Sequence, residues 1–139
     1  MNQEAVLKQL AEILKRVFFH GDLIQDLHGI LSKSGIEQAF LSLFLTRIKF
    51  LLEYSNNATK HEEFERLSHT SVGLYSMHLS RRGFNIRILY ALLQEGDPVL
   101  LHAFSERAGK RVTSYENHIP IAEERLRSFL EEYSENEEE

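Results

Sequence analysis

The periodicity of this chain changes once, after Lys60, and that change limits what the chain can fold into. Before it, apolar residues recur at helical spacing. After it, they fall into short runs, some alternating, separated by tight turns. The run SVGLYSMHLS meets the turn RRG, FNIRILYALL meets the turn EGDP, and VLLHAFS follows. Connections this short make consecutive strands antiparallel neighbours. The spacing predicts strands over 72–79, 84–93 and 97–104.

The helical part has its own punctuation. Val6, Leu7, Leu10, Ile13 and Leu14 lie on one helical face. Val17 and Phe18 either continue it or form a short strand with Phe19; the pattern leaves both open. Asp22 can cap a helix over 22–33 that carries Leu23, Ile24, Leu27, Ile30 and Leu31. Ser34 with Glu37 three residues on is a capping-box pattern. It opens a helix over 35–54 that is apolar around most of its circumference, as a central core element is. SNNATK breaks the chain, and HEEFERLSH reads as a polar connector of about one helical turn. The final helix, NHIPIAEERLRSFLEEY, can be capped by Asn117 and tolerates Pro120 in its first turn. The expected fold is α+β: N-terminal helices packed on a small antiparallel meander, with a C-terminal helix.

Composition bounds the function. The 139 residues suffice for one domain. They divide into a body, 1–130, whose first 20 residues are an extra helical segment, and an acidic tail, 131–139. There is no cysteine, which excludes a disulfide scaffold, a thiolate metal site and a cysteine nucleophile, and suits a reducing cytoplasm. No run of 18 apolar residues could cross a membrane, and the N-terminus is too mixed in charge for a secretory signal. The net charge of −5 is unevenly placed: EEYSENEEE holds six of the 21 acidic residues. From Arg66 to Arg111 the count is seven basic to three acidic, so the chain is locally basic where the strands are predicted.

Arg87 lies in the middle predicted strand between Ile86 and Ile88. Alternation places Phe84, Ile86, Ile88 and Tyr90 on one face, against the long apolar helix, and Asn85, Arg87, Leu89 and Ala91 on the other, exposed one. Ser76 and His78 can share the Arg87 face; so can His102 and Phe104, or else Ala103 and Ser105. Arg87 is then an ordinary solvent-facing arginine, or one bound to Glu95 or Glu106, or a cation displayed for a ligand.

The motifs carry a resemblance. Gly73–His78, then Ile86-Arg87-Ile88-Leu89-Tyr90, then Val99-Leu100-Leu101-His102-Ala103-Phe104, then Ile119, Ala122 and Arg125, follow one another in order. This series resembles the RelE/ParE toxin superfamily, in its phage-derived HigB-like branch, over roughly residues 60–130. The chain departs from that pattern where Ser76 and His78 replace a glutamate and an arginine, and where Glu106 and Arg107 replace a pair of lysines.

The resemblance implies the toxin of a type II toxin–antitoxin pair: a small endoribonuclease that needs no metal or other cofactor and cuts messenger RNA on the ribosome. Its implied partners are a helix-turn-helix antitoxin, the ribosome and mRNA, with no membrane. Cleavage needs a base for the 2′-hydroxyl, a cation for the phosphate and an acid for the departing 5′ oxygen. On the resemblance, Arg87, His78, Lys110 and Tyr115 are the catalytic candidates, and Arg81, Arg82, Arg107, Arg111 and His102 the RNA contacts. A guanidinium suits phosphate as a planar fork of donors, and a histidine titrates near working pH. Two rival readings are a RelE-fold binding module without catalysis and a ParE-like toxin directed at gyrase. His61 and His69 lack the spacing of a metal site.

Overall fold

The computed structural model describes residues 8, 11–12, 15–68, 70, 72–106 and 115–138. They form an α+β domain with one mixed sheet between two helical layers. The elements are β1 (Phe18–Phe19), α1 (Gly21–Leu31), α2 (Glu37–Tyr54), a 3₁₀ turn (Ser55–Lys60), β2 (Phe64–Arg66), β3 (Tyr75–Arg81), β4 (Phe84–Leu92), β5 (Pro98–Ser105) and α3 (Ile119–Glu138). The sheet order is β1-β5-β4-β3-β2. The three predicted strands are its centre, antiparallel and consecutive as expected. The β3–β4 hairpin turns at Arg82-Gly83, where Gly83 takes φ 99°, a conformation open to glycine.

One edge of the sheet resolves an alternative the sequence left open, and the other differs from expectation. Phe18–Phe19 is a strand, parallel to β5 and paired with Val99 and Leu100. It is held there by Phe18, whose ring packs edge-on against Phe129 and Tyr133 of α3. The helix expected over the first 20 residues therefore stops short of Val17; Val6, Leu7, Leu10, Ile13 and Leu14 lie outside the described residues. HEEFERLSH supplies β2 and not a helical turn, because Phe64 turns inward to stack on Phe50 while Glu65 and Arg66 continue the ladder with β3. Two and three residues are too few to show a period.

The helix starts also shift. His20, not Asp22, caps α1, its Nδ1 accepting from the Asp22 amide at 3.1 Å. The capping box at Ser34 and Glu37 does not form. Lys33 and Gly35 take left-handed backbone angles, φ 58° and 80°, so the chain cannot enter a helix until Glu37. Ser34 instead closes the turn, donating to the Leu31 carbonyl at 2.6 Å.

The core has two compartments. One face of the sheet presents Met77, Leu79, Ile86, Ile88 and Tyr90 to Leu23 of α1 and Phe40, Leu43, Ile48 and Leu51 of α2. This is the face predicted for Phe84, Ile86, Ile88 and Tyr90. The other face is not open as expected. Its Leu89, Ala91, Val99 and Leu101 are covered by Ala122 and Leu126 of α3, with Leu67 and Leu74 beside them. An apolar surface of that size does not stay in water. The helix covers one end of the face only and leaves the end carrying Glu65, His78 and Arg87 partly open.

Candidate functional site

The sheet register decides which side chains meet. His78 stands directly opposite Arg87, and Arg87 directly opposite Phe104. Glu65 stands opposite Ser76, which is opposite Leu89, which is opposite His102. Of the two alternatives for β5, His102 and Phe104 thus share the Arg87 face, and Ala103 lies in the first core compartment. The ladder slips by one residue between Leu89 and Tyr90, beyond the point where Arg87 pairs.

Around Arg87 two polar groups assemble. In the first, His78 Nε2 lies 3.0 Å from Glu65 Oε1. The Tyr115 hydroxyl donates to the same carboxylate oxygen at 2.5 Å and lies 3.0 Å from Ser76 Oγ. Glu65 and Tyr115 border a groove of about 600 Å³ with Arg66, Glu116 and Glu123. His78 and Arg87 border a second hollow of about 370 Å³ with Arg47, Arg81, Glu62 and Glu63. Arg47, on α2, is tied in by its Nε, which donates to the His78 carbonyl at 3.0 Å.

The second group is partly buried, with His102 its most enclosed member. Asp26 of α1 accepts from Arg125 Nη1 of α3 at 2.6 Å and from the Ala103 amide at 3.1 Å. His102 Nδ1 lies 3.1 Å from the same carboxylate, and His102 Nε2 lies 2.8 Å from His118 Nδ1. His118 stacks flat on Phe104, with ring centroids 3.7 Å apart. Arg125 Nη1 also donates to the Leu101 carbonyl at 2.9 Å.

These surroundings set the protonation states. Burial, and then the Arg87 charge, push the His78 ring below its ordinary value, against the pull of Glu65. Burial lowers His102 as well, with Arg125 and His118 adding to it against Asp26, and burial lowers His118 against Glu106 and Asp26. Burial works against the Asp26 charge, but the Arg125 and Ala103 hydrogen bonds hold its carboxyl below the usual range. Burial and the Glu65 hydrogen bond push the Tyr115 phenol up to about 12, so it stays protonated.

A stability profile follows from the three histidines. With folded pKa values below the ordinary 6.5, they take up protons more readily in the unfolded chain. Their contribution is complete above about pH 6.5 and is lost as pH falls through the folded values, by up to about 1.4 kcal/mol per pH unit for His78 and His102 and by less for the more exposed, solvent-screened His118. Denaturant midpoints at pH 7.5 and 5.5 check this, since carboxylates barely titrate in that window. The midpoint is expected to drop at pH 5.5; an unchanged or higher midpoint would contradict the assignment of neutral rings.

No known family model matches the chain, nor does any curated protein or any solved structure.

Of the residues singled out in the sequence, His78, Arg87 and Tyr115 are brought into one neighbourhood, and Arg81 borders their hollow. Arg82 is exposed in the β3–β4 turn. Lys110, Arg107 and Arg111 lie outside the described residues. His102, expected to contact RNA, is only 7% exposed and spends both ring nitrogens on Asp26 and His118. Sequence reasoning missed Glu65, Arg47, Asp26 and His118. Glu65 would have been found by reading FER as a strand beside Ser76; the other three carry no local signal. Among the described residues, no group of three or more His, Asp or Glu side chains is arranged to hold a metal ion. No helix among them is long and apolar enough to cross a membrane.

Proposed function

We propose that the chain is an endoribonuclease that cleaves messenger RNA through its own 2′-hydroxyl, as the toxin of a toxin–antitoxin pair. The observation that carries this reading is the Glu65–His78 pair beside Arg87 on a partly open sheet face. A carboxylate can only accept, so the 3.0 Å contact to Glu65 holds the proton of His78 on Nε2 and leaves Nδ1 with a lone pair. A neutral, oriented imidazole next to a fixed guanidinium can take the 2′-hydroxyl proton while the cation meets the phosphate. The resemblance to HigB-like toxins carries a glutamate where this chain has Ser76. Here Glu65 stands directly across the ladder from Ser76, and Tyr115 contacts both, so a carboxylate is available from the neighbouring strand. Tyr115, at about 12, serves to hold Glu65 and is a poor proton donor.

A second reading, a binding module on the same fold, is favoured by Glu62 and Glu63, which offset Arg47, Arg81 and Arg87 in the hollow. The deciding experiment is induced expression in a bacterial host, with and without a small helix-turn-helix protein encoded next door, combined with cleavage assays on programmed ribosomes. Growth arrest with cut mRNA, relieved by the neighbour, is expected. Purified, folded protein that leaves ribosome-bound mRNA intact would remove the ribonuclease reading in favour of the binding module.

A further inference from the structure

The proposed site has a cation and a base, but Tyr115 is tied to Glu65, and among the described residues named so far none delivers a proton to the departing 5′ oxygen. The second polar group offers one.

Its hydrogen bonds impose an order on the protons. Asp26 is ionised beside Arg125, so the 3.1 Å contact to His102 requires the hydrogen on His102 Nδ1. A neutral His102 then has a bare Nε2. The 2.8 Å contact from that atom to His118 Nδ1 requires the hydrogen on His118 Nδ1. His118 is left with a bare Nε2, the position where a further proton can be taken up from solvent. The ring is also held in place: it lies flat on Phe104, and the His118 carbonyl accepts the first hydrogen bond of α3, from the Ala122 amide at 3.1 Å.

The position matters as much as the tautomer. Phe104 is the direct cross-strand neighbour of Arg87 on one side, and His78 is its neighbour on the other. Adjacent strands lie about 4.8 Å apart, so β3 and β5 are roughly 10 Å apart across Arg87. That span holds one phosphate with a hydrogen-bonding partner at each end. In-line displacement puts the attacking and departing oxygens on opposite sides of phosphorus, so base and acid belong on opposite sides of the phosphate-binding cation.

We propose that His118 is the second proton-transfer residue of this site: Nε2 takes a proton from solvent, and the imidazolium so formed donates it to the 5′ oxygen, with His102 and Asp26 as positioning residues. The inference rests on the ribonuclease reading above. The 2′ oxygen bonds to phosphorus and its proton passes to His78. The phosphorus–5′ oxygen bond breaks, and the oxygen takes the solvent-derived proton from Nε2 of the His118 imidazolium, which returns to its neutral Nδ1–H form. The products are a 2′,3′-cyclic phosphate and a 5′-hydroxyl.

The test uses ribosome-bound mRNA whose scissile 5′ oxygen is either normal or replaced by sulfur, a leaving group that needs no protonation. His118→Asn is expected to slow the oxygen substrate a hundredfold or more and to cut the sulfur substrate at close to the unsubstituted protein's rate. His118→Gln is the second variant if the first does not fold. Nitrogen-15 shifts of His118 are expected to show the Nδ1–H form, and to lose it in His102→Asn, which keeps a donor for Asp26 but no acceptor for His118. A folded His118 variant that is unimpaired on oxygen, or equally slow on both substrates, overturns the assignment. An unsubstituted protein that cuts neither substrate overturns the ribonuclease reading itself, and the role of His118 with it.

Discussion

Replacing Arg87 by alanine is expected to abolish mRNA cleavage and growth arrest while the fold persists. Arg87 sits at the centre of the sheet's most rigid part, in the middle strand between His78 and Phe104, and belongs to neither apolar cluster. A group that must meet a phosphate at fixed geometry is best placed there. Losing a cation aimed at the transition state costs on the order of 3 kcal/mol, a hundredfold or more in rate. Arg87→Lys should recover only part of the loss, because it restores the charge and not the planar fork. A second effect separates this from simple damage. Arg87 is one of the causes that hold the His78 ring down, so its removal should move the His78 titration upward. Single-turnover cleavage and histidine NMR read the two effects. Full activity in folded Arg87→Ala protein would take Arg87 out of the mechanism.

The largest expected effect on stability is at Asp26. Its carboxylate is 18% exposed, receives Arg125 and the Ala103 amide, and faces His102. Asp26→Ala leaves a half-buried guanidinium without its counter-ion and a backbone amide without its acceptor. Breaking one side of such a pair costs about 3 kcal/mol or more, a large share of the roughly 5–15 kcal/mol that holds a domain together. Because the folded carboxyl lies below its ordinary value near 3.8, this contribution is present above that value and is lost only as pH falls through the folded pKa. The cost should therefore be fully visible at pH 7, in denaturant or thermal unfolding. The double variant Asp26→Leu with Arg125→Met should recover much of it, since it removes both charges together. A cost below about 0.5 kcal/mol for the single variant would mean that Asp26 and Arg125 do not rely on each other.

The alternation in FNIRILYALL sufficed to put Ile86, Ile88 and Tyr90 in the core and Arg87 on the opposite face, and the structure agrees. The turn residues placed β3, β4 and β5 to within three residues at each end. At the edges, β1 stayed one of two open alternatives and β2 was read as a helical turn, because two and three residues fall below the length at which a period can be seen. The face of Arg87 was taken as open because nothing local says where a distant helix will land. Leu89 and Ala91 on that face were the available hint that something must cover it.

The division between the two levels is physical. The sequence by itself determined the elements and the facing of each residue within an element, because those depend on backbone geometry that repeats every 2.0 or 3.6 residues. Arg87 and His78 could be paired on that basis alone, since a two-residue turn joins their strands. Only the tertiary structure decided the rest. Asp26 and Arg125 are 99 residues apart, Asp26 and His102 are 76 apart, and Glu65 and Tyr115 are 50 apart. No periodicity links such positions. They meet because burying two apolar faces of one sheet brings α1 to one side and α3 to the other, and the polar groups carried on those helices then pair with each other at the sheet's end.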